Sequence, residues 1–157
     1  MKIILIIIFI LILFFLQIGI LPQLKIFGAW PNLILISILA LSILQGWKKT
    51  LPWIIVGGLF IDFYSLDNIL GISVVALLVI SYLAYFLSQN TFKKTTFSSL
   101  ILIFLIAIFV YNILLIFFFK IFNIGPDWSF LTFIIGIIYN LILALPIFYL
   151  IKKLCLT

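Results

Sequence analysis

Asp62 is the residue whose chemistry stands out in this chain, because it places a carboxyl group inside an apolar segment. The chain has three acidic residues in all, Asp62, Asp67 and Asp127. An aspartate at the centre of a membrane costs about 2.5–3.5 kcal/mol on insertion scales, so we expect Asp62 to face other helices. Gly58 stands four residues earlier on the same helical face, where it leaves room for a second helix to approach.

Two aspartates that share a proton could act as acid and base in an intramembrane peptidase. Asp62 with Asp67 or Asp127 would supply the pair. Gly58–Asp62 is similar to the first motif of lipoprotein signal peptidases, which use two aspartates at the outer membrane face. The Asn and Arg that flank that family's aspartates are absent here, and six spans are not its four. This peptidase stays an alternative, and the chain predicts no cofactor, since it has no His and one Cys for a metal site.

The composition excludes a soluble protein. The chain is 68% hydrophobic and 8% charged, whereas a soluble domain carries about 25% charged residues. We therefore expect an all-α integral membrane protein that forms one transmembrane domain over residues 1–157. The net charge of +6 comes from lysines at segment ends, which indicates orientation in the lipid bilayer and no nucleic-acid partner.

Six apolar segments predict a bundle of six transmembrane helices. Their predicted ranges are about 3–20, 31–45, 51–64, 69–87, 97–119 and 129–151. Pro31 is expected in the first turn of helix two, Thr50 as the N-cap of helix three and Asp67 or Asn68 as the cap of helix four. The segment Gly46–Lys49 is predicted to form a turn. Helices two and three are shorter than the ~20 residues of a usual span, which predicts a thinned bilayer or shielding by longer neighbours.

The lysines predict the orientation. With six crossings, Lys2 and three lysine pairs fall on one side, and Lys25 and Lys120 fall on the other. The pairs are Lys48–Lys49, Lys93–Lys94 and Lys152–Lys153. Because lysines concentrate on the cytoplasmic side, both termini are expected in the cytoplasm.

Polar side chains on helices five and six are the expected partners of Asp62. Helix six carries Thr132, Gly136, Asn140 and Ala144 at four-residue spacing, a stripe typical of close helix contact. At a rise of about 1.5 Å per residue, Asp62 falls in depth between Asn112 and Asn140. We therefore expect Asn112, Asn140 or Tyr111 to contact Asp62, or Asp62 to line a water-accessible cleft.

The segment from residue 31 to residue 83 resembles the rod shape-determining MreD family. The similarity rests on Pro31-Asn32 opening a short helix, then Gly46, Gly57-Gly58, Asp62, Gly71 and Tyr82-Leu83. It implies a non-enzymatic multi-pass subunit of the bacterial cell-elongation machinery in the cytoplasmic membrane. The candidate structural and partner-contact residues are Pro31, Asn32, Gly58, Asp62, Asp67, Gly71, Asn112 and Asn140.

The same resemblance implies partners and a second alternative. The implied partners are a single-pass MreC-like protein, an MreB-like filament and the RodA–penicillin-binding-protein pair that builds peptidoglycan. The family's fold is related to substrate-binding subunits of energy-coupling-factor transporters, so a small-molecule-binding subunit is the alternative. That function needs a polar, aromatic-lined pocket, for which Asp62, Asn112 and Asn140 are the candidates.

The orientation predicts the outcome of a labelling experiment. A reporter or an accessible cysteine inserted after Gln89 should be found in the cytoplasm, and one inserted after Gly125 should be found outside. The reverse pattern, or an odd number of crossings, would contradict the six-helix topology.

Overall fold

The chain is all-helical. The computed structural model describes residues 2–64, 69–91, 96–123 and 130–156. Within these residues it contains six α-helices, which confirms the predicted number. They are α1 (Lys2–Gly19), α2 (Leu33–Gln45), α3 (Trp47–Tyr64), α4 (Ile72–Phe86), α5 (Phe97–Phe122) and α6 (Phe130–Leu156). A 3₁₀ turn over Leu21–Leu24 follows α1, and a π-helical turn over Leu87–Thr91 follows α4.

α2 is the centre of the bundle. All residues from Leu33 to Ile43 are buried, and α2 packs against each of the other five helices. A surface helix would show one apolar stripe, whereas a helix that is apolar all round is enclosed by others. The thirteen residues of α2 span about 20 Å. The protein's own helices therefore shield this short segment from lipid.

Contacts along α2 define how its neighbours run. The backbone N–H of Asn32 donates to Oδ1 of Asn140, in the first half of α6, at 2.7 Å. At the other end of α2, Nε2 of Gln45 donates to Sγ of Cys155, near the end of α6, at 3.1 Å. α2 and α6 therefore run parallel. One end of the bundle contains Asp62 and the N-termini of α2 and α4, and it is termed the Asp62 end. The opposite end contains Lys48 and the C-terminus of α6, and it is termed the Lys48 end.

The second and third helices differ from their predicted bounds. α2 starts at Leu33 rather than Pro31, and Asn32 is its N-cap. α3 starts at Trp47, so the predicted turn over Gly46–Lys49 and the short third helix are both wrong. Gly46 makes the turn alone with a φ of +88°, which favours glycine. Thr50 is inside α3 and donates its hydroxyl to the carbonyl of Gly46 at 3.0 Å, so it is not the N-cap.

The later helices also shift. α4 starts at Ile72, three residues after the prediction, and Gly71 is its N-cap. The predicted cap residues Asp67 and Asn68 lie outside the described residues. α5 and α6 are longer than predicted, since α5 reaches Phe122 and α6 reaches Leu156. Lys120 lies in the last turn of α5 and Lys153 in the last turn of α6, where basic side chains interact favourably with the negative pole of a helix.

Within the described residues, three helical stretches are long and apolar enough to cross a membrane. They are Ile72–Thr91, Phe97–Phe122 and Phe130–Cys155. Ile8–Gly19 and Leu33–Gln45 are shorter apolar helices of the described part. On the outside of the bundle, large apolar side chains such as Phe15, Phe117 and Ile142 are exposed, as expected where lipid is the solvent.

Gly58 brings α3 against the backbone of α4. A Cβ atom added at Gly58 would lie 2.7 Å from Cα and 2.8 Å from N of Val74. At Gly57 the nearest atoms are the side-chain methyl groups of Ile34 and Ile38, at 2.8 and 2.9 Å. The two adjacent glycines thus face two different helices, and only Gly58 meets main chain.

This difference predicts a ranking of alanine variants. Gly58→Ala should destabilise the bundle by about 1–3 kcal/mol, because backbone must move to accept the methyl group. Gly57→Ala should be milder, since side-chain methyl groups can shift. Thermal unfolding in detergent measures the stability of both variants, with the reaction of Cys155 with a thiol-reactive dye as the signal for unfolding.

The control is Gly19→Ala, where an added Cβ finds no atom within 4 Å. It should leave the unfolding temperature unchanged. A Gly58→Ala protein as stable as Gly19→Ala would contradict the close approach of α3 and α4.

Candidate functional site

Asp62 binds the N-terminus of α4. The side chain is buried, with 2% of its surface exposed. Its Oδ2 accepts the backbone N–H of Gly71 at 2.7 Å, and its Oδ1 accepts the backbone N–H of Ser73 at 3.1 Å. These N–H groups belong to the start of α4, where backbone N–H groups have no hydrogen-bond acceptor within the helix itself. A carboxylate there also interacts favourably with the positive pole of the helix.

Gly71 gives the backbone the shape that this contact needs. Its φ of +102° and ψ of −14° lie in the left-handed region, which most residues other than glycine avoid. No atom would lie within 4 Å of an added Cβ, so the requirement for glycine is conformational and not steric crowding. Gly71 turns the chain so that its own N–H and that of Ser73 point at one carboxyl group.

The N-terminus of α2 is capped by neutral side chains from three helices or their flanks. Oε1 of Gln17, on α1, accepts the N–H of Leu33 at 2.7 Å, and Nε2 of the same side chain donates to the carbonyl of Pro31 at 3.2 Å. Oδ1 of Asn32 accepts the N–H of Leu35 at 3.0 Å. Together with Asn140, which accepts the N–H of Asn32, these side chains tie α1 and α6 to the start of α2.

Tyr111 lies near both caps. Its side chain is 3% exposed and is close to Ser73, Asp62 and Asn32. Within the described part of the chain, the buried hydroxyl groups of Ser73 and Tyr111 make no hydrogen bond. A buried polar group without a partner costs about 1–3 kcal/mol. The cluster therefore keeps two polar atoms that the helix caps do not use.

The expected pairing of Asp62 with an amide side chain is wrong. Asn140 is committed to Asn32 and to the carbonyl of Gly136, which its Nδ2 reaches at 2.8 Å. Nδ2 of Asn112 donates to Ile108, in its own helix, at 3.0 Å. Asp62 instead uses backbone amides, since a helix N-terminus supplies donors without a polar side chain.

The stripe on α6 packs as a helix contact. Asn140 and Ala144 are buried, and a Cβ atom added at Gly136 would lie 4.0 Å from the Cβ of Ala29. Oγ1 of Thr132 donates to the carbonyl of Phe27 at 3.1 Å. The stripe thus fixes two parts of the chain against α6, namely the segment between α1 and α2 and the start of α2.

Gln17 and Ser73 belong to the cluster and were missed by the sequence analysis. For Gln17 a signal existed, because it is the one polar uncharged side chain within the apolar run of α1. Ser73 carried no such signal, since serines recur along α4. Asp67 and Asp127, the other members of a possible acid–base pair, lie outside the described residues.

The geometry favours a structural use of the Asp62 end. Both carboxyl oxygens of Asp62 accept backbone N–H groups, so this side chain caps the N-terminus of α4. Among the described residues, no group of three His, Cys, Asp or Glu side chains could hold a metal ion.

A family model described as rod shape-determining protein MreD matches residues 1–154. This range contains every residue of the cluster from Gln17 to Asn140. No curated protein and no solved structure matches the chain.

The caps predict graded effects at position 62. Asp62→Leu leaves both amides of α4 unpaired, at about 1–3 kcal/mol each. Asp62→Asn keeps one acceptor and turns a donor towards the other amide, so it should be milder than Asp62→Leu. Thermal unfolding in detergent gives the order.

The control is Asn112→Leu, because the hydrogen bond of that amide stays within its own helix. It should fall near the wild-type stability. The capping role would be refuted if Asp62→Leu were no less stable than Asn112→Leu.

Proposed function

The chain belongs to the MreD family of rod shape-determining proteins, and we propose that it is a non-enzymatic, multi-pass subunit of the bacterial cell-elongation machinery. Membership of the family implies a role in rod-shape determination. In the proposed role, the bundle helps to organise peptidoglycan synthesis through protein–protein contacts. It lies in the cytoplasmic membrane with both termini in the cytoplasm, and residues 1–157 act as one transmembrane domain.

The observation that carries this proposal is the use of the buried polar side chains. Asp62, Gln17 and Asn140 each bond to backbone groups at a helix N-terminus. Their polar atoms assemble the bundle and are not presented to a substrate. A protein of this kind is suited to act through its outer faces, where apolar side chains dominate.

The outer face of α3 is the proposed contact surface for an MreC-like single-pass helix. Ile55, Val56 and Phe63 are exposed there, with 48%, 53% and 69% of their surfaces accessible. This face runs towards the Asp62 end, next to the close contact between Gly58 and α4. The proposal places this contact on α3 and not on α2, because α2 is enclosed by the bundle.

The Lys48 end is the proposed cytoplasmic side. Lys48, Lys49 and Lys152 are exposed at this end, as expected for the cytoplasmic face. An MreB-like filament and the RodA–penicillin-binding-protein pair are further proposed partners of the assembled complex. In this arrangement the MreC-like helix meets the bundle within the membrane, and the filament meets it on the cytoplasmic side.

A small-molecule-binding subunit of the energy-coupling-factor type is the second candidate. The buried hydroxyl groups of Ser73 and Tyr111, which make no hydrogen bond in the described part, favour it, because a polar ligand could use them. Such a ligand would have to reach the interior of the bundle. Mass spectrometry of small molecules retained by the purified protein separates this candidate from the first.

Site-specific crosslinking in growing cells tests the proposed contact. Photoreactive residues at Ile55 or Phe63 should capture a single-pass membrane protein in cells that depend on this chain for rod shape. Capture should weaken with Gly58→Leu, which pushes α4 away from α3, and these cells should become round.

The matched control is a photoreactive residue at Phe117, which is 57% exposed on α5. It should capture little of the same protein. Capture confined to the Lys48 end, or equal capture at Phe117 and Phe63, would contradict the proposed surface.

A further inference from the structure

A groove on the outside of α6 lies next to a lysine. The groove has a volume of about 170 Å³ and is lined by Ile26, Ile135, Ile138, Tyr139 and Ile142. The α6 residues among these fall within the membrane-crossing stretch Phe130–Cys155. From Ile135 to Ile142 the groove follows the helix for about 10 Å. The surface of this groove is apolar, like the lipid acyl chains that lie against a transmembrane helix.

Lys25 is the chain neighbour of Ile26, and this end of the groove is termed its rim. It precedes the lining residue Ile26 and is exposed, and its Nζ lies 5.1 Å from the ring centre of Trp30. A lysine over the face of tryptophan is held by a cation–π attraction. Trp side chains favour the level of the lipid headgroups. A cation is thereby placed where the phosphate of a lipid would lie, above the apolar floor.

The segment that carries Lys25 is fixed to α6. Ile26 and Ala29 form a pair of backbone hydrogen bonds of 2.9 Å each, which closes a tight turn. The hydroxyl of Tyr139 donates to the carbonyl of Leu24 at 3.3 Å, and that of Thr132 donates to the carbonyl of Phe27. The rim and the floor of the groove are therefore held together before any ligand binds, which lowers the entropy lost on binding.

We propose that this groove is a binding site for an anionic phospholipid. One acyl chain lies along Ile135, Ile138 and Ile142, and the phosphate is bound by the ammonium group of Lys25. The exposed Phe27, at the tip of the same turn and 73% exposed, enters the bilayer beside the headgroup. The site is separate from the Asp62 cluster, and the proposal does not depend on the partner contact at α3.

Photolabelling of the full chain in vesicles tests the proposal. The vesicles consist of phosphatidylcholine with a small fraction of phosphatidylglycerol that carries a photoreactive group in its acyl chain. Labelling should concentrate on the groove residues of α6. It should exceed labelling by a phosphatidylcholine probe about fivefold, as expected for one lysine near an anionic headgroup.

Two pairs of variants separate the contact with the acyl chain of the lipid from the contact with its headgroup. Ile138→Trp fills the groove and should reduce labelling, whereas Ile134→Trp, at an exposed position of α6 outside the groove, should not. Lys25→Gln should abolish the preference for phosphatidylglycerol, and Lys120→Gln, at an exposed lysine of α5, should preserve it. Lys25→Gln changes an exposed side chain, so it tests the site even where a tryptophan disturbs α6.

Equal labelling by the two lipids would overturn the assignment of an anionic phospholipid. Equal labelling of Ile138→Trp and Ile134→Trp would contradict the proposal that the groove binds the acyl chain of the lipid. Exclusion of both probes by a co-purifying membrane helix would assign the groove to a protein partner and refute the proposal.

Discussion

The enclosure of α2 is the constraint on which the rest of the structure depends. A helix surrounded by other helices cannot hydrate the amides of its first turn, and each one left unpaired costs about 1–3 kcal/mol. Gln17, Asn32 and Asn140 accept those amides. Two of the three come from other helices, so α1 and α6 are fixed in register by the needs of α2. Between apolar helices in lipid, packing alone discriminates poorly among registers.

α4 meets the same constraint with a charged group. Asp62 accepts two amides with its two oxygens, whereas an amide side chain offers one oxygen. Gly58 supports the contact, because it lets α3 approach the backbone of α4 at Val74, next to Ser73. Gly71 completes it with a left-handed turn. Gly58, Asp62 and Gly71 are separate positions of the sequence motif, and in the fold they thus act as one structural unit.

The sequence predicted the helices better than the contacts between them. Six apolar runs separated by Gly, Pro and Lys were sufficient for the number of helices. The start of α3 was misplaced because Lys48 and Lys49 suggest a turn, whereas Gly46 alone reverses the chain. The partner of Asp62 could not be read from side-chain types, since backbone amides are present at every position. Only the fold brings the first turn of α4 to the end of α3.

The capping arrangement bears on how such a protein can work. Among the described residues, Gln17, Asp62 and Asn140 bond to helix ends inside the bundle, whereas lysines such as Lys48 are exposed. Changes at Asp62 or Asn140 therefore act on the fold first and on any partner through it. Changes on the outer faces of α3 and α6 leave the caps intact, because their exposed side chains point away from α2. In the function and the lipid site proposed above, recognition uses the exposed faces of α3 and α6, and the buried caps set the distances between these faces.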